Sequence, residues 1–501
     1  MTDDRTALGI DIGTTSVKVL LIDGAGGIAA QATRAHDLVS PRAGWAEEDA
    51  DIWWQNAADC VREIAAAAPK QLARLAAIGV SGMVPALVLL DAAGRPVRAT
   101  IQQNDARATA EIEEIKAALD QDELFARTGG VTNQQHLLPR LLWVARHEPA
   151  AFARVRSVIG SYDWIAFRLT GAVQVEKNWA VESGLYDIHK NGWITEYLTR
   201  FGLDPALLAP VSASSAVVGH TRGMAALGLP DGLPVIAGSA DHVASALAVG
   251  MTAPGDLLIK FGGAGDILYD IDRVAPLREL YFDCHVVPGQ YLLNGCMAAS
   301  GSLVKWLTRD ILGQTDPDSY RRMDEAAAAI PPASDGLIVL PYFLGEKTPL
   351  FDPDARGVFF GLTLSHTRAH LYRAALEAVM YGFRHHADVL AAAGCRPRRI
   401  LASDGGAKSA LWCQIAADVL GAPVTACTGH PGSALGTAFL AARSCGLYDR
   451  WEDIGRFVQG GRTYLPDARA AAVYDRAYAL YRRLYRDLRG CCADLRQLYE
   501  P

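Results

Sequence analysis

Residues 8–23 read L-G-I-D-I-G-T-T-S-V-K-V-L-L-I-D and place two apolar runs on either side of a polar glycine turn. Apolar residues alternate within each run, which predicts two half-buried β-strands joined as a hairpin. Gly13 can adopt backbone angles that are closed to other residues. The amides of Gly13, Thr14 and Thr15, the two hydroxyls and the Lys18 ammonium would then face one concavity and bind phosphate oxygens. The stretch therefore predicts phosphate chemistry, with an ordinary polar-tipped hairpin as the alternative.

Asp11 adds a carboxylate just before this turn. Mg²⁺ keeps several of its waters and takes few protein ligands, so a single carboxylate beside a bound triphosphate is well suited to hold it. We therefore predict that Asp11 is the magnesium residue of a phosphate-binding site.

A second strand–turn–strand pattern occurs at residues 257–270, L-L-I-K-F-G-G-A-G-D-I-L-Y-D. Two similar hairpins in the two halves of the chain predict two related lobes. Gly262 and Gly263 would let backbone amides approach a second part of the same polyphosphate. Taken alone, a glycine cluster of this kind is more often a tight turn.

A third pattern, at residues 400–424, consists of an apolar strand, a glycine turn and the start of a helix. A helix N-terminus after such a turn is a natural seat for an anion or a nucleotide. Gly405 and Gly406 would let a flat base or ribose lie against the backbone, with Ala407, Ser409 and Trp412 at the edges of the slot. A routine strand–helix turn is the alternative.

The composition is that of a sizeable globular protein. The chain has 501 residues, of which 50% are hydrophobic, and this is enough for two or three cored domains. A net charge of −7 and the lack of basic runs interleaved with aromatic residues argue against a nucleic-acid surface. Residues 1–5 lack the layout of a signal peptide, and the apolar stretch 235–251 is interrupted by Asp241 and His242. We therefore expect small-molecule partners, no nucleic-acid or membrane partner, and a cytoplasmic location.

Short apolar strands alternate with alanine-rich helices, which is the pattern of an α/β fold. The predicted helices cover residues 52–68, 108–120, 320–329, 367–393 and 468–498. Glycine and proline at residues 250–255 indicate a boundary between two lobes, residues 1–248 and 249–501. Small residues at helical spacing in 431–438 predict a helix that packs closely on a neighbour. The apolar face of the last helix is expected to pack on the second lobe, with a homodimer interface as the alternative.

Taken in this order, these segments resemble the FGGY family of carbohydrate kinases, part of the sugar kinase, actin and heat-shock ATPase superfamily. The most specific piece is G-V-F-F-G-L at residues 357–362, followed after seven residues by H-L-Y-R-A-A-L-E, which matches the family's second diagnostic pattern. The first pattern, at residues 139–144, has Arg140 where the family normally has lysine. The resemblance implies two ribonuclease-H-like lobes flanking a central cleft, with sugar and phosphate bound mainly by the first lobe and ATP by the second.

The resemblance also implies a catalytic residue. The family's catalytic aspartate opens the helix that follows a glycine-rich strand end, and here that residue is Asp241. Without the resemblance, an aspartate after Gly-Ser is usually a helix N-cap. Phosphoryl transfer mainly needs alignment of the acceptor and neutralisation of charge. Asp241 would therefore act as general base, while Mg²⁺ and Lys18 stabilise the phosphoryl oxygens, unless the Lys18 side chain faces a neighbouring strand or solvent instead.

The predicted sugar pocket departs from the xylulokinase-like group that the chain otherwise resembles. That group carries Met-His, Trp-Asn-Asp and Asp-Asn where this chain has Met83-Val84, Gln103-Asn104-Asp105 and Asp241-His242. The resemblance implies that the residues at these positions contact the substrate, namely Met83, Val84, Asn104, Asp105, Asp241 and His242. Since a polar site can strongly reject an analogue that lacks one hydroxyl, such changes leave the choice of sugar open. Solvation or an Asx turn is the alternative for the loop that ends at Arg107.

The resulting hypothesis is an ATP- and Mg²⁺-dependent kinase of a small ketose or polyol, most plausibly a pentulose such as xylulose. Glycerol, erythritol, gluconate or a hexulose is the alternative substrate within the family. Two other classes stay open: an ATPase that needs no small-molecule acceptor, and a sugar-sensing relative that binds ligand without turnover.

Overall fold

Two mixed β-sheets of seven strands each organise the chain. They belong to a computed structural model that describes residues 4–458 and 461–498. Residues 1–3, part of the N-terminal stretch considered above, lie outside the described residues. Within the described ranges, every helix is too short or too polar to span a bilayer.

The elements follow in chain order. The strands are β1 Thr6–Ile12, β2 Ser16–Asp23, β3 Ile28–Ala35, β4 Glu47–Glu48, β5 Leu75–Gly82, β6 Val88–Leu90, β7 Thr100–Ile101, β8 Ser157–Ile159, β9 Val175–Glu176, β10 Tyr186–Asp187, β11 Gly192–Trp193, β12 Val211–Ser212, β13 Val217–His220, β14 Pro234–Ile236, β15 Ser239–Ala240, β16 Asp256–Phe261, β17 Gly265–Ile271, β18 Tyr281–Cys284, β19 Tyr291–Met297, β20 Ile338–Leu340, β21 Val358–Phe360, β22 Arg399–Ser403, β23 Val424–Ala426 and β24 Thr463–Tyr464. The α-helices are α1 Ala50–Ala67, α2 Pro69–Leu72, α3 Thr109–Ala118, α4 Gln121–Thr128, α5 Leu137–His147, α6 Pro149–Phe152, α7 Ser161–Thr170, α8 Lys177–Glu182, α9 Thr195–Arg200, α10 Asp241–Ala248, α11 Gly301–Trp306, α12 Ser319–Ala328, α13 Arg368–Ala392, α14 Ala410–Leu420, α15 Ser433–Ser444 and α16 Ala468–Gln497.

The first sheet contains the first predicted hairpin. Its strand order is β13-β14-β5-β1-β2-β3, with β15 beside β5. β1 is antiparallel to β2, with Asp11 opposite Lys18, and parallel to β5. The hairpin is confirmed, but every residue of β1 is buried, so the prediction of a half-buried strand is wrong. Helix α15 covers the face that carries Gly9, and Leu8 and Ile10 on the other face are buried as well.

The second sheet repeats the arrangement of the first. Its order is β18-β19-β17-β16-β22-β23-β24. β16 is antiparallel to β17 and parallel to β22, just as β1 is to β2 and β5. Helices connect the parallel strands in both sheets, as crossover connections require. The two ribonuclease-H-like α/β lobes predicted from the sequence are thus confirmed.

The five predicted helices are confirmed as α1, α3, α12, α13 and α16, within two residues at each end. Tyr474 and Tyr481 of α16 are buried. The Tyr481 hydroxyl lies 2.7 Å from the hydroxyl of Tyr342, which follows β20. The last helix therefore packs on the second half of the chain, and the homodimer alternative stays a prediction.

Helix α15 belongs to the predicted C-terminal half of the chain, residues 249–501, but it packs on β1, β5 and α10 of the first lobe. A Cβ atom on Gly9 would lie 2.3 Å from the carbonyl oxygen of Ala434, and one on Gly79 would lie 2.3 Å from that of Thr437. Any side chain at either glycine would push the helix away. The close packing predicted for residues 431–438 is confirmed, and part of the C-terminal half completes the first lobe.

A buried carboxyl on β17 makes stability depend on pH. Neither oxygen of Asp270 has a hydrogen-bond partner among the described residues, and the residue is fully buried. Burial, with the nearby Asp256 charge, raises the pKa of Asp270 to about 8. The folded protein therefore keeps a proton that the unfolded chain releases from about pH 4 upward, and each pH unit between the two pKa values costs about 1.4 kcal/mol of stability.

We expect Asp270→Asn to raise the thermal midpoint, because the amide has no proton to lose. The gain should grow from pH 5 to pH 8 and stay constant above, and thermal unfolding at pH 5, 6.5, 8 and 9 measures it. Asp59→Asn is the matched control, since that side chain is 53% exposed and does not act on the pKa of Asp270. A midpoint difference that does not change with pH would contradict the prediction.

Candidate active site

A cleft between the two sheets encloses about 180 Å³. Both lobes contribute polar side chains to its wall. The lining residues from the first lobe are Met83, Val84, Gln103, Gln135, Glu182, Asp241 and His242, and those from the second lobe are Lys260, Asp266, Tyr281, Asn294, Cys296 and Lys347. The structure thus brings Met83, Val84, Asp241 and His242 together, as the sequence predicted for a shared pocket.

Asp241 begins helix α10 and faces the cleft. Ala240 takes the N-cap position, so Asp241 is free of the capping role that its sequence context suggested. One carboxylate oxygen accepts the backbone N–H of His242 at 2.6 Å, and 36% of the side chain is exposed to the cleft. Desolvation would raise the pKa of Asp241, but hydrogen bonding and charge from His242, with the charge of Lys260, lower it. Asp241 is therefore ionised and accessible, as a general base must be.

His242 lies between carboxylates of both lobes. Its Nε2 is 3.0 Å from Oδ2 of Asp283 on β18 and 3.8 Å from Oε1 of Glu182 on α8. Desolvation opposes a charge on the ring, but Asp283, Asp241 and Glu182 outweigh it and raise the pKa of His242 well above its usual value. Sequence reasoning missed Asp283 and Glu182, because nothing in the short strand or helix that carries them marks a site.

Asp11 presents a buried carboxylate near the end of β1. Its carboxylate accepts the hydroxyls of Ser81 and Ser433 at 2.8 and 2.6 Å. Burial and the charge of Asp241 raise the pKa of Asp11 to about 6, against the opposing effect of both hydroxyls and Lys18. A divalent cation held by Asp11 would offset the effect of the Asp241 charge on this carboxylate. The assignment of Asp11 to Mg²⁺ stays a prediction that this donor set supports.

Two lysines, Lys18 and Lys260, are candidates for the cation that binds phosphate. Lys18 donates to the backbone oxygen of Pro431 at 3.2 Å, so it bridges the first hairpin to the loop before α15. Lys260 lines the cleft, and its ammonium lies 3.4 Å from Asp266 on the paired strand. Desolvation opposes the charge of Lys260, but Asp266, Asp404 and Asp241 raise the pKa of its ammonium. Lys260 thus lies among the carboxylates of Asp241, the second hairpin and the third glycine turn, a position that sequence reasoning missed.

The glycine turns differ in what surrounds them. A Cβ atom on Gly263 or Gly405 would meet nothing within 4 Å, so the backbone there is open to a ligand. A Cβ atom on Gly406 would lie 2.5 Å from the Trp412 ring, which stacks on Phe261 at 4.7 Å. Gly406 is therefore required by packing, and the buried Trp412 supports the loop from beneath instead of forming an open edge.

The remaining predicted nucleotide residues keep positions compatible with that role. Thr14 and Thr15 are exposed at the tip of the first hairpin, beside the half-buried Gly13. The Ser409 hydroxyl accepts the Trp412 amide at 3.1 Å and so caps α14. Ala407 is buried, so any contact it makes with a nucleotide would come from its backbone. Nucleotide binding by these residues, and by Gly262, stays a prediction.

The loop after β7 divides into one cleft residue and one structural pair. Gln103 lines the cleft, whereas Asn104 is exposed and is not among the lining residues. Asp105 is buried and binds the Arg107 guanidinium at 2.7 Å, and that group lies 3.8 Å from the Trp45 ring centre. Direct substrate contact by Asn104 and Asp105 stays a prediction, while the structure shows Asp105 fixing the loop that presents Gln103.

Arg140, from the first family pattern, shapes the same wall. The buried guanidinium donates to the backbone oxygens of Pro85 at 2.7 Å and His136 at 3.2 Å, and also to that of Gln135. Burial lowers the pKa of Arg140 to about 10, so the group still carries its charge at neutral pH. Arg140 therefore holds the backbone on both sides of the cleft wall and is not exposed to a ligand.

Comparison with known protein families bears on nearly the whole chain. Residues 6–248 match the N-terminal domain of the FGGY family of carbohydrate kinases, and residues 274–445 match the C-terminal domain of that family. The chain belongs to the FGGY family of carbohydrate kinases. An FGGY carbohydrate kinase is a phosphotransferase, and its reaction is the ATP-dependent phosphorylation of an alcohol group of a sugar.

Individual relatives within the FGGY family cover the chain from end to end. It is 30% identical to the xylulose kinase of Escherichia coli (strain K12) over 492 residues, 96% of this chain and 99% of that protein. It is 29% identical to the xylulose kinase of Lactococcus lactis subsp. lactis over 486 residues, 96% of each. The crystal structure of xylulose kinase from Rhodospirillum rubrum superimposes with a TM-score of 0.92 at 43% identity, covering 98% of this chain and 100% of that one.

Proposed function

We propose that this FGGY kinase phosphorylates a pentulose, with xylulose as the first candidate. The observation that carries the proposal is an ionised, accessible Asp241 in a polar cleft between the lobes. The names of the relatives at 30% and 43% identity point to xylulose. A cytoplasmic location and a homodimer belong to the proposal as predictions.

The cleft wall supports a polyhydroxylated acceptor. The side-chain oxygens Oε1 of Gln103 and Oδ1 of Asn294 are buried and have no partner among the described residues. Oε1 of Glu182 also has no hydrogen-bond partner among the described residues, and Nε2 of His242 lies 3.8 Å from it. A buried acceptor left unpaired costs about 1–3 kcal/mol, so these oxygens favour a ligand with several hydroxyl donors. The three groups come from three elements and would bind hydroxyls along the length of a short sugar.

The proposed roles follow from the charges. Asp241 orients the acceptor hydroxyl and takes its proton as the new O–P bond forms. Lys260 and the amides of the glycine turns offset the charge of the phosphoryl oxygens. Asp11 would hold Mg²⁺, which, when bound with ATP, neutralises the phosphates. Closure of the two lobes around the substrates would exclude water from the cleft and so suppress hydrolysis of the nucleotide.

The test is ADP release with Mg·ATP across a panel of pentuloses, hexuloses, polyols and aldonates. We expect one pentulose to be turned over with the highest kcat/KM. A clear preference for gluconate or a polyol would overturn the pentulose assignment but keep the family reaction. Equal ADP release with and without every sugar would instead favour the acceptor-independent ATPase, and binding without turnover would favour the sensor.

A further inference from the structure

The imidazole of His242 bridges the proposed base to the opposite lobe. Nδ1 lies 3.5 Å from Oδ1 of Asp241, and Nε2 lies 3.0 Å from Oδ2 of Asp283. Both ring nitrogens therefore face carboxylate oxygens. Only the protonated ring has two N–H donors, so this arrangement suits an imidazolium and not a neutral imidazole.

Asp283 is a rigid anchor for that ring. Its side chain is fully buried, and the same Oδ2 accepts the Asn294 side-chain amide at 3.0 Å. The next residue, Cys284, is fixed in both directions: its N–H donates to Asn178 Oδ1 at 2.7 Å, and its carbonyl accepts the Asn178 amide at 2.9 Å. Since Asn178 lies on α8 of the first lobe, β18 is pinned across the lobe interface beside the ring.

We propose that His242 is a positioning residue that links Asp241 to Asp283 of the other lobe, and so holds the base oriented and ionised when the lobes meet. The proposal rests on the proposed function of Asp241 as general base. Where the xylulokinase-like group commonly has asparagine, this chain has a side chain that reaches two carboxylates at once. The link also means that Asp283, which anchors His242, lies in the second lobe, to which the proposal assigns the nucleotide.

The surrounding charges set the expected direction of a pH effect. The charged groups around the Asp241–His242 pair are Glu182 from α8, Asp283 from β18, Lys260 from β16 and Asp11 from β1, with Asp266 and Lys347 also lining the cleft. Besides the ring itself, Lys260 and Lys347 add positive charge, and of these two lysines only Lys260 is a cause of the lowered pKa of Asp241. Loss of the imidazolium would therefore raise the pKa of Asp241, and the base would be protonated over a wider acid range.

The test combines activity with a direct titration of the ring. His242→Asn and Asp283→Asn should each move the acidic limb of the kcat/KM profile to higher pH by about one unit, which is about a tenfold loss at pH values below the limb. KM for ATP should change by less than about twofold, since neither residue lies in the glycine turns. His189→Asn is the matched control, because that side chain is exposed and its Nε2 contacts the backbone oxygen of Ala126, away from the cleft residues. A uniform loss of kcat at every pH would overturn the proposal, because that is what a merely structural role predicts.

Proton NMR of the histidine rings keeps the test independent of turnover. The His242 resonance, identified by its absence in His242→Asn, should stay in the charged position well above pH 7 in the parent protein. In Asp283→Asn its titration should move to lower pH. A ring that titrates as an ordinary histidine in both proteins would overturn the link. If no sugar is phosphorylated, the proposed function fails by the ADP assay, while the ring titration still decides the link.

Discussion

Replacement of Asp241 by asparagine is expected to reduce kcat for sugar phosphorylation by about 10²–10⁴-fold, the usual contribution of a positioned general base. The amide keeps the volume of the side chain and can still hydrogen-bond the acceptor. It cannot take the proton of the hydroxyl as the O–P bond forms. KM for ATP should change little, because the proposal assigns Asp241 to the acceptor and not to the nucleotide. Initial rates of ADP release with the best sugar of the panel measure the effect.

Two controls separate this loss from misfolding. Asp59→Asn changes the same chemical group at an exposed surface pair with Arg62 and should leave kcat unchanged. The thermal midpoint of Asp241→Asn should fall only slightly, because the variant loses the favourable interactions of the charge with His242 and Lys260 but also relieves the repulsion of Asp11. An Asp241→Asn enzyme with more than half of the parent turnover would remove Asp241 from the role of base.

The sequence predicted the parts of this site that are formed by backbone turns and by the start of a helix. The hairpins at residues 8–23 and 257–270 follow from apolar runs interrupted by glycine, whereas Asp241 was singled out by the resemblance to the FGGY family, whose catalytic aspartate opens a helix. These features are contiguous in the chain, so a short stretch of sequence contains the whole signal.

The side chains that complete the cleft could not be predicted in the same way. Asp283 and Asn294 lie on two ordinary antiparallel strands, and only the sheet register places them beside His242. Glu182 ends a short helix that reaches the cleft because Asn178 ties it to β18. Helix α15 was expected to pack closely, but its partner in the other half of the chain is visible only in the fold. The positions of these side chains depend on contacts between residues far apart in the chain, and the residue types alone do not indicate them.

Lys260 had a local signal that sequence reasoning passed over. It is a charged residue within the apolar strand β16, and Asp266 occupies the facing position on β17. A buried lysine costs free energy unless its charge is compensated. Asp266 alone could compensate it, but the ammonium also lies within the influence of Asp404 and Asp241. The proposal assigns Asp241 to the sugar and the glycine turn after Asp404 to the nucleotide, so a cation between them would neutralise the phosphoryl group during transfer.

We therefore expect Lys260→Met to lower kcat by about 10²–10³-fold, the effect of removing one preorganised charge-stabilising donor. Lys18→Met should weaken kcat less, because Lys18 already donates to the backbone of Pro431. Lys116→Met, at an exposed helix pair, is the matched control for loss of a lysine charge. Lys260→Arg should recover part of the lost rate, since the charge returns in a different shape. If Lys260→Met keeps the parent kcat while Lys18→Met lowers it, then Lys18 of the first hairpin neutralises the phosphoryl charge. In that case Lys260 serves only to balance the charge of Asp266.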